Sequence, residues 1–464
     1  MSKRGKTVGK DEKMEKYRIG YGRVDVTPLE NVPQAGFGNT DKHISTEVHD
    51  PIMASCFAIT DSKDTTVLLI CIDLQRADIT TVMNARENIE RELGIPGNHV
   101  MVCTTHTHAG PEMFRPEMPQ IARYRVRLDE GILLAAKLAM FDRREADIYI
   151  GDIETERMNF VKHYAYEDEN GETKYFGDIF GTATYNETTR HVTEVDPTLH
   201  VLKIVRQGVK ELVLVNWRAH GHVYAAAKRF DISADFPGFL RSAFESRYDG
   251  LITYFQGACG NVNAHTRLEH EKQTRVPEEY GNLLADYVIK VLEGEMTLVE
   301  PKPIGITQTV LKEPINLPSP EFYDNCLKVQ KLWRETNSAS ACRELGQPLG
   351  IRSHAMANAV IARTRRGEFG DLELNAITLG DVGIVTAPNE LFDTLSVYVE
   401  DHAPFKKVLT FGYANNAQGY IPSAYGFEYS CYESDCCYFL PGIGEKIRDT
   451  HLQMLEKLKQ EQGG

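Results

Sequence analysis

Two polar segments each follow an apolar run, and any fold of this chain has to account for both. Val100-Met101-Val102 is short and bounded by β-branched residues, which reads as a buried strand. It runs into Cys103-Thr104-Thr105-His106-Thr107-His108-Ala109-Gly110-Pro111-Glu112, where the Gly-Pro pair stops it. Later, Leu212–Trp217 runs into Arg218-Ala219-His220-Gly221-His222. Side chains alternate faces along extended backbone. His106 and His108 are therefore expected on one face, about 7 Å apart at roughly 3.3 Å per residue. One such pair alone fits two idle, hydrogen-bonded polar residues equally well.

The rest of the chain alternates between strand and helix patterns. Tyr17–Val26, Ala54–Thr60 and Val67–Asp73 read as strands, and Thr80–Leu93 carries a helical period ended by Gly94. Strand, helix and the Val100 strand in that order suggest a parallel βαβ unit. Ile121–Phe141 reads as a long helix, Ala146–Ile153 as a strand, and Val201–Arg206 with Leu212–Trp217 as a hairpin. Between them, Val161–Glu194 is polar and without period, a long loop or small insertion of the kind that shapes a pocket. Phe236–Tyr248 and Val276–Leu292 read as helices and Ile252–Phe255 as a strand entering Gly257-Ala258-Cys259-Gly260-Asn261-Val262-Asn263. Ile304–Lys312 is a strand, Glu321–Arg366 a charged helical hairpin, and Leu372–Leu379 with Val382–Ala387 a β-hairpin. Pro388-Asn389-Glu390 then opens a helix, Val408–Tyr413 is a last strand, and Gly444–Gln460 a closing helix.

This alternation predicts an α/β fold, a mixed central sheet layered with helices, organised as one large domain over residues 17–464 behind a charged tail at 1–16. Polar clusters follow strand ends at His106/His108, His220/His222, Asn261/Asn263 and Glu390. In such sheets the carboxyl ends of the strands share a crevice. Two His-x-His pairs and a carboxylate there suit Zn²⁺, whose ligands are borderline nitrogen and oxygen donors.

Charge and cysteines narrow the setting. The 66 acidic and 52 basic residues give a net charge of −14, which argues against nucleic acid or an anionic membrane as partner. No run approaches 18 apolar residues, so no membrane insertion is expected. The first 16 residues hold no apolar signal-peptide core, and nine cysteines without a repeating spacing read as free thiols. The expectation is a cytoplasmic protein acting on a small molecule, its oligomeric state open.

Several motifs resemble the amidase domain of the neutral (non-lysosomal) ceramidase family. Thr105-His106-Thr107-His108-Ala109-Gly110-Pro111 is similar to the family's Thr-His-Thr-His-Ser-Gly-Pro. Asn216-Trp217-Arg218-Ala219-His220, Ser233-Ala234-Asp235-Phe236-Pro237-Gly238 and Pro388-Asn389-Glu390-Leu391-Phe392 resemble its later segments. Gly419-Tyr420-Ile421-Pro422 with Tyr432-Glu433 resembles its Tyr-(Val/Ile)-Thr stretch and the Tyr-Glu twelve residues on. The resemblance runs from about Tyr17 to the closing helix. It implies zinc ligands at His106, His220, Glu390 and Tyr420, an acid/base at His108, and a carbonyl-binding phenol at Tyr432. His222 has no family counterpart and is the alternative to His220 if the register differs by two.

Two departures shape the expected chemistry. The family's nucleophile-like serine lies in Gly-Asp-Val-Ser-Pro-Asn, whereas this chain has Gly260-Asn261-Val262-Asn263-Ala264-His265. Asn263 is therefore expected to contact substrate, not to attack it. The large family members also carry a secretion signal and a C-terminal immunoglobulin-like domain, and neither is read here, so membrane ceramide is not the expected substrate. A zinc amidohydrolase of soluble substrates is the first reading. An esterase or lactonase for carbohydrate-derived compounds, or a non-catalytic metal- or ligand-binding protein, are the alternatives.

Overall fold

Parallel pairing decides where the strand ends meet. The computed structural model describes residues 16–36, 42–177, 186–224, 230–266, 268 and 276–463. The main sheet contains β1 (Tyr17–Asp25), β2 (Met53–Thr60), β3 (Thr66–Ile72), β4 (Val100–Thr104), β5 (Arg144–Glu154), β6 (Thr198–Arg206), β7 (Glu211–Trp217) and β8 (Gly250–Gln256). Their order is β8-β7-β6-β5-β1-β2-β3-β4, with the short strand Thr297–Val299 added on β5. The pairs β3/β4 and β7/β8 are parallel and the others antiparallel, so the sheet is mixed as expected.

The expected βαβ unit is β3, helix α1 (Ile79–Leu93) and β4. Asp78 caps α1 by accepting from the Thr81 N–H, and Gly94 ends it in the left-handed region at φ 68°. All seven residues of β3 and all five of β4 are buried, the signature of strands covered on both faces.

A second sheet explains one of those faces. It contains β9 (Gly305–Pro314), β10 (Phe369–Leu379), β11 (Val382–Thr386) and β12 (Lys407–Phe411), in that order, with β11 parallel to β12. Phe57, Leu69, Met101, Ile148 and Phe255 of the first sheet pack in one core with Ile377, Ile384, Leu409 and Phe411 of the second. On the opposite face of the first sheet, Ile70 and Val102 pack with Val82 and Ile89 of α1 and with Leu128 and Ile132 of helix α2 (Pro119–Phe141). The outer face of the second sheet is covered by Met454, Leu455 and Leu458 of the closing helix, Ile443–Gly463. The result is helix, sheet, sheet, helix. Each such fully buried side chain contributes roughly 1.5–3 kcal/mol.

The first sheet also curls. The thiol of Cys71 on β3 lies 3.1 Å from the Tyr254 carbonyl on β8, so the two ends of the strand order approach each other. Cys71 and the other eight cysteines are free.

Three local expectations need correction. Glu390 does not open a helix: Glu390–Leu391 is a two-residue strand parallel to Tyr420–Ile421, and the helix begins at Asp393. The backbone of Glu390 is committed to the Gly419 carbonyl, which overrides the first-turn preference of a glutamate. The 321–366 segment forms three helices, Pro320–Thr336, Ala339–Gly346 and His354–Arg363, because Asn337 turns left-handed at the first break. The polar 161–194 segment holds a three-stranded sheet of His163–Glu167, Thr173–Gly177 and Arg190–His191, with residues 178–185 outside the described part.

Candidate metal centre

His106 leaves the strand before it can share a face with His108. β4 ends at Thr104, and His106 has φ +63°, so the alternation that predicts a separation of about 7 Å no longer applies. The two rings instead meet edge to face with centroids 4.8 Å apart. A second loop imposes this bend. Thr107 pairs with Gly221, and the His108 N–H donates to the Gly221 carbonyl at 2.8 Å, so the two His-x-His segments are zipped together. Position 221 has to be glycine, since a Cβ there would sit 2.5 Å from the His106 carbonyl. Asp235, at φ +57°, accepts from the N–H groups of Val223 and Tyr224 and fixes the far side of the loop.

The hydrogen bonds of the two inner histidines aim their free nitrogens inward. Nδ1 of His106 lies 2.8 Å from the Gln75 carbonyl, and Nδ1 of His220 lies 2.8 Å from that of Cys259. A carbonyl only accepts, so both Nδ1 atoms carry the proton. Burial, with His220 and His108 as neighbours, pushes His106 well below the ordinary histidine range despite the Glu390 charge, so its Nε2 is bare. Burial also holds His108 down to about 3.

Glu390 closes the group. Its Oε2 lies 3.4 Å from Nε2 of His220 and 3.8 Å from Nε2 of His106, and it is buried with no hydrogen-bond partner among the described residues. Burial opposes ionisation of this carboxyl, and the Tyr420 hydroxyl beside it acts the other way, toward the carboxylate. The chain can come this close because residue 260 is glycine: a Cβ there would be 2.4 Å from the Glu390 carbonyl. The Tyr420 hydroxyl stands 3.4 Å from Nε2 of His220. Lone pairs of His106 and Glu390 thus face each other, and neither group carries a proton of its own between them. That donor set, two imidazoles, a carboxylate and a phenol, fits a divalent cation of the zinc type.

The other expected residues surround this point. Nε2 of His108 is 3.2 Å from Nε2 of His106 and 3.4 Å from the Gln75 amide nitrogen. His106, His108 and His220 hold their ligand atoms within 4.8 Å of one another. Tyr432 packs edge to face on Tyr420 with ring centroids 5.7 Å apart. Asn263 follows β8 in a short strand pairing with Phe160–Val161, and its buried Oδ1 has no partner among the described residues. The ring of His222 stands 5.5 Å from that of His220 and 5.4 Å from that of His265.

Three neighbours were not singled out from the sequence. Gln75 and Lys162 sit in segments with no motif, and Lys162 places its ammonium 5.4 Å from the centre of the Tyr420 ring. Tyr413 was visible only as the last residue of a strand pattern.

Comparison with known proteins gives the family and the fold. The family model described as "Neutral/alkaline non-lysosomal ceramidase, N-terminal" matches residues 17–265, more than half of the chain. The chain belongs to the neutral/alkaline non-lysosomal ceramidase family. A ceramidase structure described as complexed with C2 superposes with a TM-score of 0.70 at 15% identity, covering 96% of this chain and 76% of that one. The neutral ceramidase of Pseudomonas aeruginosa gives 0.69 at 16%, covering 96% and 75%. No curated protein sequence matches. The shared fold is thus that of bacterial neutral ceramidases, and family membership supports an amide-bond hydrolase. Glu390, Tyr420 and Tyr432 lie beyond the residues that the family model matches.

Proposed function

We propose that the chain is a zinc-dependent hydrolase that cleaves an amide bond in a small soluble substrate with water as the nucleophile. The observation that carries this is the convergence of the two histidine Nε2 atoms on a buried, unpartnered Glu390 oxygen. His106, His220, Glu390 and Tyr420 are the residues that would hold Zn²⁺. A bound zinc supplies a Lewis acid and lowers the pKa of its water from 15.7 to roughly 7.

The chain's own residues supply the rest. His108, kept neutral by burial beside the ligand histidines, is the imidazole that would move a proton from the attacking water to the leaving nitrogen. Tyr432, whose pKa is raised by Cys436 and by burial, remains an O–H donor for the oxygen that gains charge. Asn263 stands where the family has a serine, and an amide cannot form an acyl-enzyme. Its unpartnered Oδ1 is free to accept from a substrate N–H or O–H.

Polar residues around the centre, His222, Asn263 and His265, favour a polar acyl or leaving group over a long alkyl chain. No helix among the described residues is long and apolar enough to cross a membrane. The nine free thiols support a reducing, cytoplasmic setting, and thiol titration under denaturing, non-reducing conditions should find close to nine. Screening the zinc-loaded protein against N-acyl amides, esters and lactones tests the bond. Turnover of esters or lactones but no amide overturns the amide reading, and no turnover at all would leave a binding protein on this scaffold.

A further inference from the structure

Tyr413 is a tyrosine in the wrong backbone region for its bulk. It has φ +52°, and for a large side chain that conformation is an outlier which persists only where the surroundings dictate it. Its immediate surroundings share the feature. Eight non-glycine residues among those described have positive φ, and His106, Tyr413 and Asn415 of these lie in one contact network.

The network links the two sheets at the metal centre. Asn415 reaches β4 through both its N–H and its side-chain Oδ1, each pairing with Val102 at 2.8 Å. The N–H of Ala414 donates to Ala387 and that of Tyr413 to Asn389, immediately before Glu390. Held at both ends, the Tyr413 ring lies fully buried and stacked on His106, with centroids 3.9 Å apart and planes 21° from parallel. Its hydroxyl stands 2.9 Å from Nε2 of His106 and also lies against the Glu390 carboxylate. Since the His106 proton is on Nδ1, facing Gln75, Nε2 and the Glu390 carboxylate are both acceptors, and the phenol gives its one proton to either of them in turn.

We propose that Tyr413 is a positioning residue of the metal centre: its ring orients His106 by stacking, and its one O–H proton serves Nε2 of His106 while that lone pair is free and the Glu390 carboxylate once zinc takes the lone pair. This assignment rests on the zinc reading above and adds to it a residue outside the expected ligand set. Partners of this kind that orient ligands alter metal affinity as well as activity when removed. Tyr420 then differs from Tyr413 in role: it faces His220, while Tyr413 governs the His106 side.

The test is zinc affinity measured by chelator competition on wild type and Tyr413→Phe, together with the cobalt(II) absorption spectrum of each. Phenylalanine keeps the stacking and removes only the hydroxyl. The expected result is affinity weakened about 10–100-fold, with a changed cobalt spectrum and similar thermal unfolding of the two proteins without metal. Unchanged or tighter zinc binding by Tyr413→Phe overturns the role while leaving the zinc centre standing. A wild-type protein that takes up no zinc overturns the zinc reading itself, and the Tyr413 role with it. Should Tyr413→Phe not fold, ring ¹⁵N spectra of the wild-type histidines, recorded in chelator so that zinc cannot itself shift Nε2, decide the question. A His106 Nε2 signal shifted from the bare-acceptor position supports the contact, and an unshifted one overturns it.

Discussion

Two buried groups of metal-ligand side chains lie near each other, and only one turns its ligand atoms toward one another without a positive partner from the chain. In the first, His106, His220 and Glu390 turn acceptor atoms toward one another, with Oε2 of Glu390 left unpartnered. In the second, His163, Cys431 and Glu433 also hold their ligand atoms within 4.8 Å. There, however, Nε2 of His163 meets Glu433 at 2.8 Å and the Lys162 ammonium meets the other carboxylate oxygen at 2.9 Å. The Cys431 thiol, its pKa raised by burial, donates to the Gly426 carbonyl. Positive charge is already supplied from within the chain. The lesson is that close ligand residues imply a metal only where acceptor faces acceptor. The second group is read instead as an ionic anchor that holds Tyr432, the residue before Glu433, beside Tyr420.

The comparison breaks first on metal content. His106→Ala and His220→Ala should each reduce bound zinc from about one per chain to almost none, whereas Cys431→Ala should leave it unchanged. Elemental analysis of the purified proteins decides this, and zinc lost from Cys431→Ala but kept in His106→Ala would reverse the two assignments.

Next in size is the chemical step. His108→Ala should lower kcat by about 10²–10⁴-fold as a missing proton shuttle. Asn263→Ala should lose much less, roughly the worth of one hydrogen bond of about 1 kcal/mol. Equal losses in the two variants would give Asn263 a chemical role and sink water as the sole nucleophile.

Glu433→Gln sharpens the other half. It strands Lys162, whose side chain is 5% exposed, without its carboxylate. Breaking a buried pair in this way costs about 3–5 kcal/mol, readable in denaturant unfolding, while zinc content should stay near wild type. An unaltered unfolding midpoint would show that the pair anchors nothing.

The smallest expected effect separates the groups by pH. The fold holds His108 down to about 3, so above pH 6.5 both folded and unfolded chains leave it neutral and stability is full. Below 6.5 the unfolded chain takes up a proton that the fold refuses, and stability falls toward pH 3. For Glu433, burial opposes ionisation but Lys162 and His163 prevail and hold the carboxyl below 4.5, so its contribution is lost only as pH falls below that value. In chelator, His108→Gln should therefore flatten the decline between pH 6.5 and 4.5, and Glu433→Gln should not. A decline in that window equally steep in both variants would refute the assignment.

Strands and helices were legible because each depends on its own neighbours. The full burial of β3 and β4 follows from uninterrupted apolar runs, and α1 from its period and terminal glycine. The ligand-type residues were legible too, as histidines and a glutamate at strand ends. Their spacing was not. The left-handed turn at His106 comes from pairing with Gly221, more than a hundred residues away, and no local pattern encodes it. The short strand at Glu390 was hidden for the same reason, since its partner is Tyr420.

By itself the sequence determined an α/β chain with a mixed sheet, its buried strands, and a cluster of nitrogen and oxygen donors at strand ends. Those features arise from periodicity and side-chain chemistry, which each segment carries with it. Tertiary structure alone decided that a second sheet covers the first. It also brought Tyr413 onto His106 and neutralised Glu433 with Lys162 while leaving Glu390 facing two histidines. These outcomes depend on which distant carbonyl takes each Nδ1 proton and which ammonium reaches each carboxylate, and only the folded chain fixes those distances.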